Sequence, residues 1–115
     1  MQSYKRAQRV GELIKETVAN IVRDFDGLDA ALVSITQVKL SDDLLNCKIY
    51  FSVFGDEETV KKNELILKDN IREVRHQIAV KLNLRRTPEI RFIYDDSNEK
   101  ASKVLEIMER LKNEK

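Results

Sequence analysis

The side chains that could take part in chemistry are mainly basic, and they fall in two stretches of the chain. Residues 1–9 carry three basic groups and no acid, and residues 68–91 carry seven basic groups against three acids. Arginine neutralises phosphate and can bond two phosphate oxygens at once, so clustered arginines suit contact with a nucleic-acid backbone. The candidate RNA-contacting residues are Lys5, Arg6, Arg9, Arg72, Arg75, Lys81, Arg85, Arg86 and Arg91. Charge alone is a weak signal, because solvated helix faces commonly carry the same residues.

The residues that catalysis or metal binding would need are few. His76 is the only histidine and Cys47 the only cysteine, so one chain cannot build a cysteine-rich zinc site or a Cys–His nucleophile pair. The three glycines lie far apart, which excludes a glycine-rich phosphate loop. Asp42-Asp43 and Asp95-Asp96 stand where turns and helix starts use aspartate to cap the backbone. We therefore predict no catalytic residue, no metal site, no cofactor and no small-molecule substrate.

The single thiol, the single imidazole and the strand aromatics each have a structural interpretation beside a functional one. Cys47 lies in an apolar stretch, which predicts a buried and inert thiol, and His76 lies off the apolar stripe of its helix, which predicts a solvated ring. The aromatic residues on predicted strands could form a base-stacking platform or fill the core. They are Tyr50, Phe51, Phe54, Phe92 and Tyr94. We assign Phe51, Phe92 and Tyr94 to the core.

Length and composition indicate one globular domain over residues 1–115. Hydrophobic residues make up 42% of the chain and charged residues 36%, which is enough for one core and for solubility. No apolar run approaches the roughly 18 residues that a membrane span needs, and the first residues lack the apolar stretch of a signal peptide. These features predict a cytoplasmic protein that does not contact membranes.

The spacing of apolar residues predicts the elements that must position the basic groups. Spacings of three and four residues predict a helix over about 4–24, a second of about 25 residues after Gly55, and a third after Asp95-Asp96-Ser97. Alternating or β-branched runs predict strands at 32–40, 47–54 and 89–94. The second helix is long for a domain of this size, so we expect a bend or break inside it.

The order helix, strand, strand, helix, strand, helix predicts an α+β domain, a three-stranded sheet with helices over one face. The first two strands should form an antiparallel hairpin. Because a helix joins the second strand to the third, the third should run parallel to its neighbour. The last helix should pack on the domain through an apolar stripe, which comprises Ala101, Val104, Leu105, Met108 and Leu111.

Three stretches together resemble the ribosome-binding factor A family of bacteria, over nearly the whole chain. The first is residues 6–16, RAQRVGELIKE, and the second is residues 40–44, LSDDL, leading into residues 48–58, KIYFSVFGDEE. The most specific is residues 84–97, LRRTPEIRFIYDDS, which is similar to the family's basic turn, Pro-Glu, alternating strand and Asp-x-Ser cap.

The resemblance implies a K-homology-like (KH-like) fold of the second topological type, without the Gly-x-x-Gly loop that most such domains carry. It also implies binding to the free small (30S) ribosomal subunit and to 16S rRNA during late maturation and precursor processing, often linked to growth in the cold. One position departs from the family. Relatives usually interrupt the long helix with Ala-x-Gly, whereas Asn70-Ile71-Arg72 stands here, so the position and sharpness of the bend are open.

Three classes of function follow from these observations. The first is a monomeric, non-catalytic RNA-binding assembly factor that uses the basic residues named above. The alternative is a protein-interaction module that reaches ribosomes through another protein, by the acidic 10–30 region or by the last helix. The third is a small nuclease, which would need acid and base groups converging in a cleft.

Overall fold

The structure is a computed structural model that describes residues 2–97 and 107–112. Helix α1 spans Gln2–Ile21 and ends in a 3-10 turn at Val22–Asp24. Strands β1, Val33–Leu40, and β2, Asn46–Val53, follow. Helices α2, Glu57–Asp69, and α3, Ile71–Leu82, precede strand β3, Glu89–Tyr94. The order confirms the predicted α+β class, and every predicted strand is found within a residue of its predicted bounds.

The three strands form one sheet in the order β1-β2-β3. β1 and β2 are antiparallel, and β2 and β3 are parallel, as the hairpin and the helical connection predicted. Leu40 lies opposite Cys47, which lies opposite Ile90, so the end of β1 and the starts of β2 and β3 meet at one end of the sheet. This register decides which loops come together.

The core lies between one face of the sheet and the helices. On β2 the alternate residues Cys47, Ile49, Phe51 and Val53 are all buried, as their spacing predicted. Phe51 is fully buried at the centre, with ring centroids 6.2 Å from Phe92 and 5.8 Å from Tyr94.

The strand aromatics divide between the core and the surface. The contacts of Phe51 confirm the assignment of three rings to the core. Tyr50 is only partly buried, on the opposite face of β2, and Phe54 is 83% exposed. Phe54 is therefore the most exposed of the five strand aromatics, and Tyr50 presents part of its ring on the outward face of the sheet.

The predicted break in the long helix falls at Asn70. Its side-chain amide donates to the Ile66 carbonyl oxygen at 2.7 Å, and its backbone N–H donates to the Leu67 carbonyl oxygen at 3.2 Å. Asn70 thereby satisfies two carbonyls at the end of α2, and α3 begins at the next residue. Arg72 lies within α3, so its position does not require the conformational freedom of glycine.

The last predicted helix is only partly described. Residues 107–112 are helical, and within them Ile107, Met108 and Leu111 are 56%, 60% and 63% exposed. The prediction that the apolar stripe packs on the domain is therefore wrong for Met108 and Leu111. Ala101, Val104 and Leu105 lie outside the described residues. None of the helices in residues 2–97 and 107–112 combines the length and the hydropathy of a membrane span.

Cys47 should be unreactive in the folded protein. Its side chain is 1% exposed, and burial raises the pKa of its thiol from 9.0 to about 12. Because the thiolate is the reacting form, we expect modification by a disulfide reagent at pH 8 to require unfolding, with native rates at least about a hundredfold below those in denaturant. Thiol release measured by absorbance, with and without guanidinium, checks this. Equal rates in the two conditions would contradict the buried position.

Candidate nucleic-acid interface

The start of α1 lies at the end of the sheet where Leu40, Cys47 and Ile90 meet. Gly11 approaches β1 so closely that a methyl group on it would lie 3.8 Å from the Val38 carbonyl oxygen and 3.9 Å from Leu40 Cβ. Farther along the chain, Ala19 of α1 and Val22 of the 3-10 turn line a small cavity with Val33 and Ile35, at the opposite end of β1. The helix therefore runs antiparallel to β1. Its first turns carry the exposed Lys5, Arg6 and Arg9 to the first of these ends, which we call the basic end.

The loop of residues 83–88 brings a second pair of arginines to the basic end. Asn83 has φ +49° in the left-handed region and terminates α3. Leu84 packs against the core and Pro88 is fully buried. Between these two anchors, Arg85 and Arg86 are exposed. The loop holds both guanidinium groups at the surface.

Arg75 shapes this loop from within. Its Nε donates to the Pro88 carbonyl oxygen at 3.1 Å, and one terminal nitrogen donates to the Thr87 carbonyl oxygen at 3.3 Å. The same group lies 3.8 Å from Glu89. Two of its donors are thus committed to the backbone that presents Arg85 and Arg86. Sequence reasoning grouped Arg75 with the phosphate-contacting arginines, whereas its contacts here are those of a positioning residue.

The connection to β3 ties the loop to the hairpin turn. The backbone N–H of Glu89 donates to the Leu45 carbonyl oxygen at 2.8 Å. Turn residues 41–45 therefore lie beside the basic loop. Asp43 accepts from the Ser41 hydroxyl at 2.6 Å and from the Leu45 N–H at 3.0 Å, and these bonds hold the pKa of its carboxyl below the usual 3.8. They match the predicted turn role of Asp43, which places a negative charge at the basic end.

The basic residues of α3 do not share one face. Arg72 and Lys81 are both exposed, but nine residues of an α-helix make two and a half turns, which places them on opposite sides. One straight RNA strand cannot contact both along α3. Arg72 shares its side with His76, which is exposed as predicted. The structure therefore brings together the α1 start and the 83–88 loop, and leaves Arg72 and Lys81 apart from each other.

Arg91 belongs to a row that sequence reasoning missed. It is exposed on the face of the sheet that points away from the core, directly opposite Lys48, which in turn lies opposite Lys39. All three positions adjoin the basic end. Alternation along each strand marks them as outward residues, but the register between the strands was needed to align them.

Acidic residues gather at the other end of the sheet. Asp29, Asp56 and Asp95 lie in the loops before β1, after β2 and after β3. Asp56 caps α2 by accepting from the Thr59 N–H at 2.9 Å, and Asp95 accepts from the Ser97 N–H at 3.0 Å and from the Thr36 hydroxyl at 2.8 Å. Hydrogen bonds hold the pKa of each of these two carboxyls below the usual range, Thr59 for Asp56 and Ser97 for Asp95. The molecule is electrically polar along the sheet.

Asn63 anchors the loop at this acidic end and is the only buried polar side chain of the described residues. Its amide oxygen accepts from the Asp29 N–H at 2.9 Å, and its amide nitrogen donates to the Asp29 carboxylate at 3.0 Å and to the Thr59 carbonyl oxygen at 2.8 Å. Asn63, ahead of Lys62, lowers the pKa of Asp29. No pattern in the sequence marked Asn63, because its neighbours are charged.

Replacing Asn63 by alanine should destabilise the protein by about 1–3 kcal/mol, because the Asp29 N–H and the Thr59 carbonyl lose their buried partner. Urea unfolding followed by circular dichroism measures the loss. Lys62→Ala is the matched control: it removes only an exposed ion pair of 3.3 Å and should change stability by less than about 1 kcal/mol. An Asn63→Ala variant as stable as Lys62→Ala would contradict the buried network.

The element order, the parallel β2–β3 pair and the helices over one sheet face define a KH-like domain with a basic end. The sequence model of the ribosome-binding factor A family matches residues 6–108. The chain belongs to this family. The ribosome-binding factor A of Trichormus variabilis is 39% identical over 117 residues, which cover 98% of this chain and 87% of that protein. The factor of Halothermothrix orenii is 34% identical, covering 96% and 91%.

Solved structures of the family share the fold. The crystal structure of ribosome-binding factor A from Thermus thermophilus superposes with a TM-score of 0.66 at 20% identity, covering 76% of this chain and 94% of that one. A homology model of the Thermus thermophilus factor, fitted into a cryo-EM map of its complex with the 30S subunit, gives 0.63 at 21% identity, covering 76% and 93%. At these identities the likeness establishes the fold alone, and it confirms the KH-like prediction.

Proposed function

We propose that this protein is a non-catalytic, cytoplasmic assembly factor that binds the free small ribosomal subunit as a monomer and contacts 16S rRNA during late maturation and precursor processing. The observation that carries the proposal is the convergence at one end of the sheet of two basic stretches that are far apart in sequence. Lys5, Arg6 and Arg9 arrive on α1, and Arg85 and Arg86 arrive on the 83–88 loop. Relatives that share 34–39% identity carry the name ribosome-binding factor A.

Physical chemistry supports RNA as the partner of the basic end. Five exposed cations at the same end of the sheet create a positive potential that attracts and orients a polyanion. The acids at the far end of the sheet repel the same polyanion, so the charge distribution favours one docking orientation. Arg75 contributes by fixing the loop, and a fixed loop loses less conformational entropy when Arg85 and Arg86 bind phosphate.

Co-sedimentation with purified ribosomal particles tests the proposal. We expect the protein to pellet with free small subunits and not with large subunits. Log affinity should fall against log salt concentration with a slope of about −3 or steeper, as for the neutralisation of four or more phosphates. Association with neither particle, or an affinity that does not change with salt, would refute binding through phosphate contacts.

The alternative, a module recruited through another protein, is favoured by Phe54. This ring is 83% exposed beside Asp56 and Glu57, at the acidic end. Exposed aromatic rings are common at protein interfaces. Binding to deproteinised 16S rRNA distinguishes the two functions. An assembly factor that contacts RNA directly should still bind this RNA, with an affinity that depends on salt, whereas a module recruited through another protein should not bind it.

A further inference from the structure

The outward face of the sheet carries three cations in direct cross-strand register. Lys39 on β1 lies opposite Lys48 on β2, and Lys48 lies opposite Arg91 on β3. All three are exposed, and no ion pair among the described residues includes any of them. Like charges placed directly opposite each other destabilise a sheet. The repulsion among these three cations is therefore not offset by any ion pair among the described residues. Such a local conflict between sequence and fold is typical of functional sites.

The neighbouring row of the same face is suited to a nucleobase. Tyr50 lies two residues beyond Lys48, opposite Gln37 on one side and Ile93 on the other, and both Tyr50 and Ile93 are partly exposed. Lys39 Nζ lies 5.4 Å from the centre of the Tyr50 ring. An exposed cation–π contact is weaker than the stacking of a base on an aromatic ring, so a base can displace this ammonium group. The displaced Lys39 is then available to a phosphate.

The dimensions of the face fit a single strand. Adjacent strands lie about 4.8 Å apart, and alternate residues along a strand lie about 7 Å apart. The cationic row therefore extends over about 10 Å, and an aromatic and an aliphatic side chain lie about 7 Å away on the same face. A strand with unstacked bases can place phosphates on the first row and a base on the second. A regular duplex keeps its bases stacked inside and offers no free base to Tyr50.

Few acidic residues lie near this face, and Glu89 and Asp95 already interact with other groups. Glu89 lies two residues from Arg91 and is 3.8 Å from Arg75 at the edge of the sheet. Asp95 lies beyond the second row and accepts from the Thr36 and Ser97 hydroxyls. Neither carboxylate is in an ion pair with the cationic row.

We propose that the outward sheet face formed by Lys39, Lys48, Arg91 and Tyr50 binds single-stranded RNA, as a second contact surface continuous with the basic end. The proposal rests on the proposed function, because it takes rRNA as the physiological source of the strand. It adds the form of the RNA, a single-stranded segment, and two residues that were not predicted from sequence, Lys39 and Lys48. For Tyr50 it selects the base-stacking alternative that the sequence left open.

Lys48→Glu is the sharpest test, because binding and folding respond in opposite directions. In the free protein the change turns two like-charged cross-strand pairs into opposite-charged ones, so the Tm should rise by about 2 °C or more. Affinity for a fluorescein-labelled oligouridylate of about 12 nucleotides, a length within known single-strand site sizes, should fall about tenfold in fluorescence anisotropy. Lys61→Glu carries the same charge change at the acidic end and should leave this affinity within about twofold.

Tyr50 tests the stacking step separately. Tyr50→Ala should weaken oligouridylate binding by about tenfold, whereas Tyr50→Phe keeps the ring and should retain binding. An RNA duplex of the same length should bind wild type and Tyr50→Ala equally. If Tyr50→Ala binds the single strand as well as Tyr50→Phe does, or if the duplex shows the same loss, the single-strand assignment is wrong.

Parallel co-sedimentation with small subunits distinguishes failure of this inference from failure of the proposed function. If wild type binds small subunits and Lys48→Glu binds them and the oligouridylate equally well, the sheet face is not an RNA surface, although the proposed function stands. If wild type binds neither small subunits nor oligouridylate, the proposed function itself fails. Loss of oligouridylate binding by Lys48→Glu and not by Lys61→Glu, with an unchanged or higher Tm, supports the sheet face.

Discussion

Replacing Phe51 by alanine is expected to lower the free energy of unfolding by about 3–5 kcal/mol. The side chain is fully buried on the central strand and packs edge-on against Phe92 and at a tilt against Tyr94. Truncation removes its apolar surface from the core and leaves a cavity that the sheet, held by neighbours on both sides, cannot close. Since small domains are stable by roughly 5–15 kcal/mol, this one change removes a large part of the total.

Phe54→Ala is the matched control. It deletes the same atoms as Phe51→Ala, but from a ring that lies three residues farther along the chain and is 83% exposed. It should change stability by less than about 0.5 kcal/mol. Urea unfolding monitored by circular dichroism compares the two. If Phe51→Ala does not fold, Phe51→Leu should still fold and lose about 1–2 kcal/mol. Equal losses of stability in the two alanine variants would contradict the burial of Phe51 in the core.

The double substitution Arg85→Glu and Arg86→Glu should reduce affinity for free small subunits by about a hundredfold at near-physiological salt. Both side chains are exposed between the anchors Leu84 and Pro88, so the loop should keep its conformation. The change removes two phosphate contacts and adds two charges that repel the backbone. The slope of log affinity against log salt should become shallower by about two.

Arg23→Glu with Lys61→Glu provides the charge-matched control. Both residues are exposed, and both lie outside the basic end, on the 3-10 turn and on α2. This variant has the same net charge as the loop variant, so a general loss of attraction would affect both equally. Co-sedimentation over a salt series, with circular dichroism to verify folding, gives the comparison. Equal losses in the two variants would mean that net charge, and not the basic end, governs binding.

Much of the fold could be predicted from the sequence because its signals are local. The alternation of Ile90 and Phe92 with the charged Glu89 and Arg91 placed β3 at 89–94, where the structure has it. Apolar spacing along α1 and the strands identified the core side of each element. Resemblance to the family supplied the KH-like topology. The break in the long helix was expected, but only the contacts of Asn70 with Ile66 and Leu67 locate it.

The candidate site was predictable only as a list of residue types. Sequence reasoning could choose arginines and lysines, but it could not tell that Arg75 is committed to the Thr87 and Pro88 carbonyls. It could not tell that Asn63 is buried, because an amide among charged neighbours has no apolar periodicity. The apolar stripe after Asp95 predicted a packed helix, whereas Met108 and Leu111 are exposed. Amphipathic spacing shows that a helix has an apolar face, but it does not show which surface, if any, covers that face.

The elements, their inward faces and the excess of positive charge in two stretches follow from the amino-acid sequence alone, because each of these depends on neighbours within a few positions. Which charges meet depends on how the elements pack. Strand pairing aligned Lys39, Lys48 and Arg91, and the antiparallel course of α1 over β1 brought Lys5, Arg6 and Arg9 to the end that carries Arg85 and Arg86. Such juxtapositions depend on register and helix direction, and these are set by packing of the whole core and not by any single segment.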